Sequence, residues 1–360
     1  MKKLLVLTPY PNRSADTRYR ISQYIPYLED HGWQVTCKPF MDDKFFSMYN
    51  STGKSIEKLL RTIFRLLIRI VDCLQARNYD VVFIHKEAFA FGPPLLERIV
   101  KNNQPNLIYD MDDAFWTHPT QFSQIGWRFR DSNRIQKIIR MSSLILAGND
   151  YIADYAKKVN PNCIYFPTVL DMGYYTLREE LPDDIITIGW VGRWSSQSYL
   201  YDLQPVFEKL YKEHPNIQFH FIGVGATFSM PNLPVAVTPW TLEREITDLL
   251  PIDIGIMPLS EDGYSKGKCG FKLLQYMSLG IPAVASPIGV NEKIITDGKN
   301  GFLAASLGEW FEKLSILVND GKLRSKMGKS ARRTVVENYS LDIYAPKLLE
   351  LLNKQVVQTV

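Results

Sequence analysis

Short apolar runs alternate with amphipathic helical runs along nearly the whole chain, and no other feature narrows the possible folds as much. Lys3–Thr8, Gln34–Lys38, Asp80–His85, Asn106–Asp110, Ser143–Ala147 and Cys163–Phe166 read as strands. Thr17–His31 (ending at Gly32), Lys54–Arg77, Pro94–Asn102, Asn133–Met141 and Tyr151–Lys158 read as helices between them. A second series follows, with strands at Ile185–Gly192, Ile217–Gly223, Val235–Thr238 and Ile252–Met257 and helices at Tyr199–Glu213 and Leu242–Leu250. Strand–helix–strand units close as a parallel sheet covered by helices on both faces. The pattern predicts an α/β protein of two doubly wound, Rossmann-like domains, at 1–167 and 185–340, joined by a linker at 168–184. The tail reads as helical, Asp320–Asn338 and then Asp342–Leu352, with 341–360 as a terminal helix. A length of 360 residues suits two domains.

Composition removes several function classes. A net charge of +4 permits an anionic partner, but no RNA or DNA motif accompanies it, so no nucleic-acid partner is expected. Cys37, Cys73, Cys163 and Cys269 are scattered, which suggests neither a zinc site nor a disulfide framework and fits a reducing cytoplasm. The apolar run in MKKLLVLTPYPN is too short for a signal peptide and reads as a first strand. No stretch approaches a charge-free membrane span. No Walker loop, GxGxxG fingerprint or Ser/His/Asp order is present. The histidine of His85-Lys86-Glu87 reads as structural.

The densest local signal is Lys268–Val290. A polar loop leads into a helix carrying Phe271, Leu274, Met277 and Ser278 on one side; Gly280 stops it and Pro282 forbids its continuation. Ala283-Val284-Ala285 then reads as a buried strand. A helix start presents unpaired N–H groups and a partial positive charge, and Lys268 and Lys272 add full charges. Such a start at Gly270–Phe271 can take a diphosphate; an ordinary α/β helix with solvent lysines is the other reading.

Gln275-Tyr276-Met277-Ser278-Leu279-Gly280-Ile281-Pro282-Ala283-Val284-Ala285 resembles the donor-site segment of GT-B glycosyltransferases, in particular glycosyltransferase family 4. The resemblance covers most of the chain, more firmly from Ile188 onward. The chain departs from the family at two glutamate positions, where Gly267 and Gln275 stand. The resemblance implies the GT-B plan of two domains facing across a cleft, with the terminal helix crossing back to the first domain. It also implies a sugar transferred from a nucleoside diphosphate to a glycan or lipid-linked glycan hydroxyl, with retention, in cell-surface polysaccharide or glycoconjugate synthesis. Gly192, Arg193, Trp240, Gly270, Phe271, Lys272 and Gln275 become the donor-binding set: Arg193 and Lys272 for the diphosphate, Trp240 for the base, Gln275 for ribose hydroxyls. The family's Lys-Gly lysine after Arg193 is missing.

Asp110-Met111-Asp112-Asp113 superficially resembles the Asp-x-Asp metal motif of GT-A enzymes. Under the GT-B plan it reads instead as an acidic cluster meeting sugar or acceptor hydroxyls, with Asp112 or Asp113 as a helix cap the bland alternative. Asp110 joins Arg193 and Lys272 in the catalytic set, and Arg18, Arg20, Asp112 and Asp113 form the acceptor side. No metal or other cofactor is expected beyond the nucleotide-sugar donor. The missing glutamates motivate a rival reading, a non-catalytic nucleotide-sugar-binding protein of the same fold.

Within 54–77, Lys54, Lys58, Arg61, Arg65 and Arg69 share one stripe of a helical wheel, with apolar residues filling the rest and Phe64, Ile68 and Leu66 at its rims. A basic stripe beside surplus apolar surface suits an anionic membrane surface, with the protein cytoplasmic and peripheral at the inner face; a core helix with solvated basic residues is the other reading.

Overall fold

The structure, a computed structural model, describes residues 1–49, 53, 55–117, 131–178 and 184–357. Lys54 of the predicted basic stripe, 179–183 of the predicted linker and 358–360 of the predicted terminal helix lie outside the described residues. The chain divides into two compact units. One holds Met1–Thr168, Gly267–Cys269 and Leu341–Val360, and the other Val169–Lys266 and Gly270–Ser340.

The first unit is built on a parallel sheet of β1 (Lys2–Thr8), β2 (Trp33–Pro39), β3 (Val81–His85), β4 (Leu107–Met111), β5 (Leu144–Ala147) and β6 (Cys163–Tyr165), in the order β2-β1-β3-β4-β5-β6. Leu4 is paired with Val35 on one side and Val81 on the other. β3 and β4 are buried along their whole lengths, as strands covered on both faces must be. The helix Leu341–Val357 belongs to this unit, where Tyr344 packs edge-on against Phe166 and Lys2 Nζ donates to Asn353 at 2.7 Å.

The second unit carries β7 (Ile186–Val191), β8 (Ile217–Ile222), β9 (Val235–Thr238), β10 (Ile254–Met257), β11 (Ala283–Ala285) and β12 (Phe302–Leu303), parallel and ordered β12-β11-β10-β7-β8-β9. In both sheets the strand order reverses beside the first strand of the unit, between β1 and β3 and between β7 and β10. Open α/β sheets take ligands beyond the carboxyl ends at such points.

Several elements differ from expectation. The predicted helix Thr17–His31 is three pieces, Ala15–Arg20, a 3-10 turn Ser22–Tyr24 and Ile25–Asp30 with Pro26 in its first turn. Tyr199–Glu213 likewise breaks at Leu203, ahead of Pro205, into Ser198–Asp202 and Gln204–Glu213. Leu242–Leu250 is a succession of turns. The predicted linker is packed as far as Arg178. Val169, Leu170 and Tyr175 are buried, and Arg178 pairs with Asp253 at 3.1 Å.

The helix Ser55–Leu74 reverses the expected orientation of its stripes. Arg65 donates to the carbonyls of Pro39 and Phe40, buried Arg69 to Thr8 O at 2.9 Å, and Lys58 to Tyr49 O at 3.3 Å. The basic stripe therefore faces the body of its unit. Carbonyls at the ends of β1 and β2 need donors, and the guanidinium groups supply them. Ile56, Leu59, Leu60, Ile63, Phe64, Leu67, Val71 and Leu74 face outward, 49–77% exposed.

Candidate functional site

In the second unit the expected donor residues gather at the carboxyl ends of β7, β8 and β9. Gly270 begins the helix Phe271–Ser278 with φ 70°, in the left-handed region that favours glycine. A Cβ there would also stand 2.4 Å from Ile294. Gly270, the N-cap, has no side chain with which to cap the helix. The Tyr276 hydroxyl, one turn on, accepts from Val191 N at 2.9 Å and ties this helix to the end of β7. Lys272 thereby lies beside Gly192, with its ammonium 4.0 Å from the ring centre of buried Trp190. A Cβ on Gly192 would meet Trp190 at 2.4 Å and Lys272 Nζ at 2.6 Å. One on Gly223 would meet Gly192 O and, at 3.3 Å, the Cβ of Trp240. Arg193 caps a 3-10 turn, Trp194–Ser196, with its side chain in solvent.

Gln275 does not join this group. It is buried, and its amide donates to the Tyr175 hydroxyl at 3.2 Å. Tyr175 O in turn accepts from Arg332 at 2.6 Å. An interior glutamine with an interior partner is not offered to ribose hydroxyls from this position.

In the first unit, Arg20 and Asp110 form a buried ion pair. Arg20 Nε donates to Asp110 Oδ2 at 3.0 Å, Nη2 to the other carboxylate oxygen, and Nη1 to Phe166 O at 2.9 Å. Asp110 also accepts from His85 Nδ1 at 2.7 Å. Burial raises the Asp110 carboxyl, but the Arg20 charge and the hydrogen bonds of His85 and Arg20 outweigh it, and the net shift is downward. Arg20 and Asp110 are 2% and 0% exposed, so the contacts assigned to them with acceptor or reacting groups give way to an internal one: they hold His85.

Above this pair lies a more open cluster. Lys86, in a left-handed conformation at φ 61°, contacts Asp16 and lies 3.4 Å from Asp112 and 3.9 Å from Asp113. Burial works against the Lys86 charge, yet the three carboxylates win and its pKa rises. Asp112 is pushed up, chiefly by burial, with Lys86 and His85 offsetting only part. Lys268 pairs with Asp113 at 3.3 Å, so its ammonium serves this cluster, and the expected contact with a diphosphate at the helix start falls away. Cys269 donates to Asp112 O at 2.9 Å, and burial holds its thiol protonated. A Cβ on Gly267 would stand 2.3 Å from that of Ala114, which leaves no room for the glutamate expected there.

Ligand atoms of Asp16, His85 and Asp112 lie within 4.8 Å of one another, a set that could hold a metal ion, but the chain supplies its own cation there in Lys86. Arg18 stacks over Tyr19 at 4.9 Å. The sequence reading missed Asp16, Trp190, Tyr276 and Tyr175. Only Tyr276, inside the motif, carried a signal that could have drawn attention to it.

Residues 185–320 match the family model described as Glycosyl transferases group 1. The spore coat protein SA of Bacillus subtilis is 28% identical over 198 residues, 49% of this chain and 52% of that protein, so the match spans about half the length of this curated relative. Among solved structures, the Anabaena protein Alr3699/HepE in complex with UDP and glucose gives a TM-score of 0.69 at 15% identity over 98% of this chain and 100% of that one. The sucrose-phosphate synthase of Thermosynechococcus elongatus gives 0.71 at 13% identity, covering all of both chains. At these identities the likeness shows the fold, which is GT-B: two parallel six-stranded sheets with their helices.

Proposed function

We propose that the protein is a glycosyltransferase that moves a sugar from a nucleoside diphosphate to a hydroxyl of a glycan or lipid-linked glycan. The observation that carries this reading is the Lys272 ammonium beside Gly192, at the carboxyl end of β7 and two residues past the helix start at Gly270. Backbone N–H groups, a helix dipole and a half-buried lysine converge there, and Arg193 follows Gly192 directly. That chemistry suits a departing diphosphate. The bond from the anomeric carbon to the phosphate oxygen breaks, its electron pair leaves with the phosphate, and these charges stabilise it. The acceptor oxygen bonds to the anomeric carbon and passes its proton to the leaving phosphate, so neither a metal nor a dedicated base is required. Retention and a role in cell-surface polysaccharide synthesis complete the proposal. Trp240 supplies a face for the base.

In the first unit, Asp110 fixes the His85 ring by accepting from Nδ1, which leaves Nε2 as an acceptor with no hydrogen-bond partner among the described residues. Asp112 and Asp113, in the more open cluster, suit sugar hydroxyls. A thermal-shift panel of uridine, guanosine, adenosine and thymidine diphosphates tests the donor site. At least one raises the midpoint, by mass action on the folded state. UDP leads the panel because the Anabaena relative was captured with it. No shift with any of the four removes the donor assignment.

A further inference from the structure

The helix Ser55–Leu74 is amphipathic with its apolar face outward. Stepped at about 100° per residue, Leu59, Ile63, Ile56, Leu74, Leu67, Leu60, Val71 and Phe64 fill an arc of roughly 140° that contains no charged or polar residue. Rotation cannot hide this face, because Arg65 and Arg69 are anchored to the carbonyls of Thr8, Pro39 and Phe40 on the opposite side. An apolar patch this long and continuous is unusual on a surface that stays in water.

We propose that this face docks on the interfacial layer of an anionic lipid bilayer, with its apolar side chains inserted among the headgroups and upper acyl chains. Charge on the elements packed against the helix selects this occupant. Arg77 is exposed in the 3-10 turn Gln75–Asn78 that follows the helix, and Lys44 is exposed on the helix Asp43–Tyr49 packed against it. The helix Leu95–Asn103 also packs alongside, with Arg98 and Leu95 exposed and Lys101 half-exposed. Opposing them, Glu57 is already engaged by Arg61 at 3.3 Å, Asp42 accepts from Phe45 N at 2.7 Å, and Asp43 sits at the start of its own helix. Flanking cations beside an uncharged apolar stripe fit anionic headgroups over acyl chains. The helix lies on such a surface and does not cross it: no helix among the described residues is long and apolar enough to span a membrane. The basic stripe takes no part in the contact, being turned inward, and this separates the proposal from attraction through Lys58, Arg61, Arg65 and Arg69.

Flotation of the full chain with vesicles tests this without any donor or acceptor, so its outcome is independent of the glycosyltransferase reading. The protein floats with phosphatidylglycerol-containing vesicles and weakly with pure phosphatidylcholine. Leu60→Gln, Phe64→Gln and Leu67→Gln together lower partitioning about tenfold or more with an unchanged thermal midpoint, since all three side chains are exposed. Arg77→Glu with Arg98→Glu removes the preference for the anionic lipid while leaving the apolar face whole. Absence of binding, or equal binding by wild type and the triple variant, overturns the proposal. So does a lipid-free dimer that the triple substitution dissociates, which would assign the face to a second copy of the chain.

Discussion

Asp110→Asn is the most informative single change in the first unit. Arg20 keeps its bond to Phe166 O but loses both charged acceptors, and the new amide can accept through one oxygen only. In either orientation its NH2 group faces a guanidinium donor. Leaving a buried charge without its partner costs about 3–5 kcal/mol, and at about 2–4 °C per kcal/mol for a unit of this size the melting temperature falls on the order of 10 °C. Differential scanning calorimetry at neutral pH reads the change. The pH dependence follows from sign. The folded pKa of Asp110 lies below its unfolded value, so the pair's contribution is full above about pH 4 and is lost as pH falls through the folded value. The gap between wild type and Asp110→Asn therefore closes only in acid. Arg20→Met added to Asp110→Asn recovers part of the loss, because no unpaired charge remains. A fall under about 2 °C, or a double variant worse than the single, would refute the reasoning.

Other outcomes follow from the same geometry. Gly192→Ala places a methyl against the buried Trp190 ring and Lys272 Nζ, so nucleotide binding weakens by calorimetry and the melting temperature falls. Gln275→Glu buries a carboxylate next to Tyr175 and lowers the melting temperature at neutral pH without tightening nucleotide binding. His220 is held neutral by burial, its pKa below the usual 6.5, so the stability linked to it is present above about pH 6.5 and is lost as pH falls. His220→Asn flattens the melting curve's pH dependence below about pH 6.5.

The alternation of strands and helices was legible because fully buried strands such as β3 and β4 are unbroken apolar runs. The motif around Gly280 and Pro282 was legible because these residues punctuate whatever they sit in. The breaks at Pro26 and Pro205 were equally visible and were overridden by apolar periodicity that continues across them. The helix Ser55–Leu74 shows where pattern alone stops. The wheel gives two faces correctly, but which one turns inward depends on strand-end carbonyls from residues 8, 39 and 40, which no local window contains. Within the candidate site, Gly192 lies beside Lys272 and, across Gly223, near Trp240. Arg20, Asp110 and Gln275 do not face a ligand, because a polar residue at a strand end or in a helix can satisfy an interior partner as readily as a bound one.

Turnover measures the central claim most directly. Purified protein is given nucleoside diphosphate sugars one at a time, with and without a glycan or lipid-linked acceptor extract, and free nucleoside diphosphate is followed. The account predicts release from at least one donor, stimulated by acceptor. It also predicts a loss of roughly 10- to 100-fold in Lys272→Ala, the effect of one charge-assisted contact to the diphosphate, with the fold intact. Nucleotide binding without release from any donor, or undiminished release by Lys272→Ala, would contradict it.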